Sequence, residues 1–427
     1  MDSPNGLLAS RSTANLLTDK RIWTAAALLA PTAIYTLSKL LQPSTTDEYQ
    51  HQPKTKIFPS PPRDLPSPPE CPYPPTALPS PKDIPTPHGT IRSHEWGPPK
   101  GRKILFIPGI STPCISLASL ANNLVEKHGC RVLLFDLYGR GYSDCADPWR
   151  VRQDAALWAA QIFFVLGYHS SLGVSGGEEG GSGDWFRGVT VVGFSLGGGI
   201  AVDFASWFPE VVEGLVLVAP AGLVREGRVG WWSRVVYGGW LPGWVVEGVV
   251  GRRLGGDGKQ PEETKVGIVQ GAEAEEPDGD GDVVEDVRGS TSGAGLFPGR
   301  PPFNVATSVE WQVRAHPGFV ASFISSIQNS PISGQQHRWR LVGARLDAQR
   351  ANPDDPVAVR EGLREGKVLM LLGKDDSVIV ADEIQADAVE ALGRDNVQIN
   401  VLEGGHDLPI SRAEECARVI GEFLDWS

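Results

Sequence analysis

The sequence predicts an α/β fold, a mostly parallel sheet with helices on both faces. Three observations predict it: short, fully apolar runs ending in Gly or Asp, helical stripes between them, and a glycine-rich turn from Gly193 to Gly199 joining one run to one helix. Parallel strands are buried on both sides and read as continuous apolar runs. Strands alternating with helices build a covered parallel sheet.

The elements follow in order. Lys103 to Gly109 (Ile104, Leu105, Phe106, Ile107) is a buried strand, and Thr112-Pro113 then offers an N-cap with Pro at the first helical position. A helix over Ile115, Leu117, Leu120, Leu124 and Val125 leads to a second strand, Arg131 to Asp136. Val151, Ala155, Trp158, Ile162 and Val165 predict the next helix. Val189–Val192 and Leu215–Ala219 are strands around a small-residue helix. After a long interruption come a strand at Lys367–Leu372, a helix near Ala381–Leu392 and a strand at Val397, Ile399 and Val401. Ser411 with Glu414 predicts a capping box opening the last helix, whose stripe is Cys416, Val419, Ile420, Phe423 and Leu424.

The flanking segments differ in composition. Within 1–42, Ile22 to Ser38 is an uncharged run of 17 residues, at the short end of the roughly 17–25 that span a bilayer. It is expected to anchor the chain in a membrane, with the folded part facing the cytosol; a cleaved targeting segment or a soluble helix is the other reading. Of the 35 prolines, 17 fall between Pro43 and Pro99, so 43–88 reads as an extended Pro-rich linker. Nearly 150 residues separate Pro220 from Lys367, more than a crossover needs. That interruption is assigned to a cap, 223–315, between a first core part (89–222) and a second (316–427). Trp231, Trp232, Trp240 and Trp244, with Leu241, Val245 and Val246, read there either as packing of cap on core or as an apolar lid. Residues 256–301 read as a disordered acidic insert.

The net charge is −12 over 427 residues, with a pI near 5.2. Gly256 to Arg288 alone holds 11 Asp and Glu against 3 Lys and Arg, so most of the acidity belongs to that insert. The balance excludes a nucleic-acid binder, which needs clustered basic residues to neutralise phosphate. Five cysteines without a C-x-x-C spacing predict neither a disulfide framework nor a zinc site. Asp278 to Asp282 suggests a calcium loop, but Val283 and Gly289 stand where its turn glycine and bidentate Glu belong. Gly139-Arg140-Gly141 lacks the third glycine of a dinucleotide fingerprint, with Asp144 in its place. No cofactor or metal is expected.

Gly193-Phe194-Ser195-Leu196-Gly197 is G-x-S-x-G between a buried strand and a helix, the context that makes the motif informative. It pushes Ser195 out at the sheet's C-terminal edge as a candidate nucleophile. A serine hydroxyl needs a base, and His406, just past the last strand, is the candidate. An acid must hold the imidazole; Asp376, after the preceding strand, is a candidate, with Asp375 its rival.

On Ile107-Pro108-Gly109, the run from Asp136 to Asp144, the Ser195 turn, Gly373 to Asp376 and Gly405-His406, the chain from about Gly89 resembles an α/β-hydrolase of the esterase and lipase type with a cap insertion. The resemblance favours Asp376, three residues after Gly373, and implies an oxyanion hole from the backbone N–H groups of Ile110 and Leu196. Pro108 departs from the usual His of that loop. The implied activity is a serine hydrolase acting on a small-molecule or lipid ester. Amide, thioester or carbon–carbon cleavage on the same residues is an alternative, as is a non-catalytic, membrane-tethered binding protein.

Overall fold

The structure, a computed structural model, describes residues 55–64, 71–171, 185–225, 236–238, 243–255, 293–296 and 303–424. The expected anchor at 22–38 and nearly all of the acidic insert, including Asp278–Asp282, lie outside these residues, as do Trp231, Trp232, Trp240 and Leu241. Among the described residues no helix is long and apolar enough to cross a membrane.

The described residues form ten strands: β1 (Ile57–Phe58), β2 (Pro81–Thr86), β3 (Gly89–Trp96), β4 (Lys103–Ile107), β5 (Arg131–Phe135), β6 (Cys145–Ala146), β7 (Val189–Phe194), β8 (Val212–Val218), β9 (Val368–Gly373) and β10 (Val397–Leu402). Eight form one sheet in the order β10-β9-β8-β7-β4-β5-β3-β2. From β5 to β10 along that order every pairing is parallel, and only β3, antiparallel to both β5 and β2, runs the other way. The central runs are buried throughout, so both sheet faces must be covered.

The covering helices are α1 (Ala118–His128), α2 (Ala155–Ser171), α3 (Leu196–Trp207), α4 (Gly243–Gly255), α5 (Val305–Ala315), α6 (Phe319–Asn329), α7 (Gln336–Ala351), α8 (Pro356–Glu361), α9 (Ala381–Leu392), α10 (Leu408–Ser411) and α11 (Ala413–Leu424). α1 and α11 pack together on one face, while α2, α3, α7 and α9 pack in sequence on the other. α1 follows a 3-10 turn, Cys114–Leu117, and ends at Gly129, whose N–H closes onto the Val125 carbonyl. α2 starts later than its apolar stripe suggests. Asp154 caps it by accepting from the Leu157 N–H (3.0 Å), which leaves Val151 in the preceding bend.

Two expectations are corrected. The Pro-rich stretch is not a free spacer in its described part. β1 pairs with β6, and β2 forms the sheet edge against β3. Arg63 bonds Asp144 (2.7 Å), and Cys71, Tyr73, Leu78 and Ile84 are buried in the main core. An edge strand tolerates Pro81 and Pro85, because a missing N–H on the open side breaks no ladder bond. The predicted capping box does not form either. Ser411 closes the short α10 by donating to the Asp407 carbonyl (3.2 Å), while Glu414 reaches across to Lys127 (2.6 Å).

Between β8 and β9 the chain makes α4 to α8. α7 joins α3 and α9, whereas α4, α5 and α6 build a second apolar cluster on Val246, Val250, Leu254, Val309, Phe319 and Phe323. This cluster crosses position 315, at which the expected cap ends. Trp244 is 77% exposed, so its ring lies outside the cluster.

His316 ties α5 to the loop after β5. Its Nε2 donates to the Ser143 carbonyl (2.8 Å) and its Nδ1 accepts from the Gly318 N–H (3.1 Å), which fixes a neutral ring. Burial lowers its pKa from 6.5 to about 4. The unfolded chain therefore binds the proton first, so this stability is complete above pH 6.5 and is lost as pH falls toward 4. His316→Gln is expected to flatten that acid loss by up to about 3 kcal/mol, read as denaturant midpoints against pH. A chain starting at Gly89 is expected to aggregate or melt at a markedly lower temperature than one starting at Thr55, because it lacks β1, β2 and four core side chains. Equal melting temperatures would contradict the packing of 55–88.

Candidate active site

The parallel register brings the C-terminal ends of β4, β7, β9 and β10 to one edge, and each contributes a loop to the site. Ser195 follows β7 directly, with φ 52° and ψ −120°. This is a left-handed, strained conformation for a residue with a side chain, costing about 1–3 kcal/mol. Its backbone holds it there: the N–H donates to the Val218 carbonyl (3.0 Å), and the carbonyl accepts from Gly198 (2.8 Å) and Ala221 (2.9 Å). The turn needs glycine on both sides. A Cβ at Gly197 would lie 2.1 Å from the Ile107 carbonyl oxygen, and one at Gly193 would lie 2.3 Å from that of Gly197.

His406 lies in the loop after β10, 14% exposed at its side chain, with its ring 5.4 Å from that of Phe194. Its Nε2 is 3.0 Å from Ser195 Oγ and its Nδ1 is 2.9 Å from Asp376 Oδ2. The other Asp376 oxygen accepts from the Val378 (2.9 Å) and Ile379 (2.8 Å) N–H groups, so the buried carboxylate cannot rotate. A carboxylate only accepts, so Nδ1 carries the proton and the Nε2 lone pair faces the serine hydroxyl. Asp375, the rival acid, is exposed, and its N–H donates to the Gly404 carbonyl (3.0 Å). The structure thus brings Ser195, His406 and Asp376 into one hydrogen-bonded line and leaves Asp375 outside it.

The loop after β4 runs beside the serine. A Cβ at Gly109 would lie 3.5 Å from Ser195 Cβ. Pro108 is buried there without displacing the loop from Ser195. The Leu196 N–H opens α3, and neither it nor the Ile110 N–H donates to another group among the described residues. Two backbone donors therefore remain for an anion forming next to Ser195.

A second serine–histidine–acid line exists. Ser93 Oγ is 2.9 Å from His169 Nε2, and His169 Nδ1 is 2.6 Å from Glu95 Oε2. Burial works to raise the Glu95 carboxyl, but the bonds and charges of His169 and Arg131 hold it below its usual value. Ser93 has no exposed surface and an ordinary strand backbone, so this line braces β3 against α2.

A family model described as the alpha/beta hydrolase family matches residues 104–419. Uncharacterized proteins of Mycobacterium tuberculosis and Mycobacterium bovis are 31% identical over 129 residues, 30% of this chain and 32% of theirs. The match spans about a third of those relatives. Among solved structures, a putative lipase from Acinetobacter baumannii has a TM-score of 0.54 at 15% identity, covering 82% of this chain and 91% of that one. A bacterial membrane phospholipase A has a TM-score of 0.52 at 17% identity, covering 96% and 97%. A hydrolase from Pseudomonas aeruginosa has a TM-score of 0.51 at 13% identity, covering 81% and 98%. At these identities the likeness is one of fold.

The two aspartates make a paired test. Asp376→Asn removes the acceptor that orients His406 and is expected to slow fluorophosphonate labelling of Ser195 by about 10³–10⁴-fold. Asp375→Asn should leave the labelling rate within about twofold. Mass spectrometry of labelled peptides should find Ser195 and never Ser93.

Proposed function

The chain belongs to the alpha/beta hydrolase family, and we propose that it is a serine hydrolase that cleaves a carboxylic ester, a lipophilic ester or acylglycerol, through an acyl-enzyme. The observation that carries this reading is the unbroken line from Asp376 through His406 to a half-buried, strained Ser195 beside two undirected backbone N–H groups.

The chemistry follows from that geometry. As Ser195 Oγ attacks the acyl carbonyl, His406 Nε2 takes its proton, and Asp376 stabilises the imidazolium. The carbonyl electrons move to oxygen, which receives hydrogen bonds from Ile110 and Leu196. Such donors are preorganised, and losing one commonly costs about 10²–10³ in rate. The tetrahedral intermediate collapses, the carbon–oxygen bond to the alcohol breaks, and His406 returns its proton to the leaving oxygen. Water, deprotonated by His406, then releases the acid by the same steps in reverse.

A lipophilic substrate is supported by the lipase and phospholipase A that share the fold. The uncharged run from Ile22 to Ser38 supports a chain held at a membrane. A binding protein that merely retains the turn has no need of a strained serine with its base and acid in register.

The test is hydrolysis of p-nitrophenyl esters of increasing acyl length by the full chain, with Ser195→Ala beside it. Turnover should rise from acetate to octanoate or beyond, and Ser195→Ala should lower kcat by at least about 10³-fold. No Ser195-dependent turnover or fluorophosphonate labelling in folded protein overturns the enzyme reading. A preference for acetate would overturn the lipophilic substrate alone.

A further inference from the structure

The loop that offers Ile110 is held by two buried side chains outside the serine–histidine–acid line. Arg140, in the turn after β5, has no exposed surface. Its Nε donates to the Ile110 carbonyl (2.9 Å) and one Nη to the Tyr138 carbonyl (2.9 Å) and to the Ser322 hydroxyl. The other Nη donates to the Ser326 hydroxyl (2.8 Å). No carboxylate pairs with it among the described residues. Burial lowers its pKa to about 10, which leaves it cationic at neutral pH. An interior cation without a counter-charge is costly and survives only where its hydrogen bonds are complete.

Gln312, buried on α5, takes the next peptide. Its Nε2 donates to the Ser111 carbonyl (2.9 Å), and its Oε1 accepts from the Gly141 N–H (2.9 Å). The carbonyls of Ile110 and Ser111 are thus each fixed by an interior side chain, and the two anchors meet around Gly141. The far ends of both anchors lie in the inserted helices, Gln312 on α5 and the serines on α6. The Ile110 side chain packs against both the main core and the second apolar cluster. The loop's two carbonyls are thereby linked to α5 and α6.

We propose that Arg140 and Gln312 are positioning residues that aim the Ile110 N–H at the forming oxyanion, and that this aim depends on α5 and α6 being seated. The substrate that fits under these helices is then the one for which the oxyanion donor is aligned. Rate, rather than binding alone, reports the fit of the acyl chain. This rests on the serine hydrolase reading above.

The test uses the full chain with a p-nitrophenyl ester and an alkyl boronic acid, whose tetrahedral adduct on Ser195 places a hydroxyl where the oxyanion forms. Gln312→Met is nearly isosteric and should lower kcat about 10–100-fold, with KM within about threefold. Boronate affinity should fall with kcat, while affinity for the product carboxylate stays within about twofold. Arg140→Lys keeps the charge but not the fork and should lose kcat in the same way. Where Arg140 variants fail to fold, Ser322→Ala combined with Ser326→Ala cuts only the link to α6 and should cost about tenfold in kcat. Folded variants with kcat and boronate affinity within twofold of wild type overturn the proposal, as does a rise in KM with kcat intact. A wild-type chain that neither labels nor turns over an ester overturns the hydrolase reading beneath it. An active wild type with indifferent variants overturns this inference alone.

Discussion

The structure turns on the contact of one helix with one strand. α3 can begin beside the end of β4 only because no side chain stands between Gly197 and the Ile107 carbonyl. That closeness forces the Ser195 backbone into a left-handed turn, and bonds to the Val218 carbonyl and from the Gly198 and Ala221 N–H groups keep it there. The turn in turn decides where a base must sit. Because β9 and β10 run parallel to β7 in the same sheet, the loops that carry Asp376 and His406 open on the same edge. A strained peptide in the middle of a rigid sheet therefore sets the geometry of residues hundreds of positions away.

Most of this was legible in the chain because the relevant signals are local. The buried strands hold uninterrupted apolar runs at 104–107, 132–135 and 368–372, and Ala381 to Leu392 shows its helix in its own periodicity. The serine turn announces itself by its glycines. Choosing Asp376 over Asp375 needed the resemblance, since both follow the same strand; the structure separates them by burial. What stayed hidden depends on distant partners. Pro81 and Pro85 mask an edge strand whose pairing with β3 appears only in the folded sheet. Ser411 and Glu414 have the right spacing for a cap, but Pro409 and Asp407 start an earlier turn that uses the serine instead. Nothing in the sequence tied Arg140 or Gln312 to the loop beside Ser195, because the bonds that do so reach Ile110, Ser322, Ser326 and Ser111, each 30 or more positions away.

The buried Ser93, His169 and Glu95 supply a useful contrast. Their distances, 2.9 and 2.6 Å, are close to the 3.0 and 2.9 Å of the Ser195 line. They differ in everything around the line: an unstrained strand in place of a turn, and no surface for a substrate. A hydrogen-bonded serine, histidine and acid is a common way to satisfy buried polar groups. Reactivity comes from the strain, the access and the donors arranged about it.

The short pairing of β1 with β6 has a mechanical side. Residues 56–63 are attached to Asp144, Cys145, Ala146 and Asp147. These residues close the same turn that carries Arg140. Force applied through residues 56–63 would pass into that turn. The segment that carries β1 is therefore fastened to the same turn whose Arg140 bonds the Ile110 carbonyl beside Ser195.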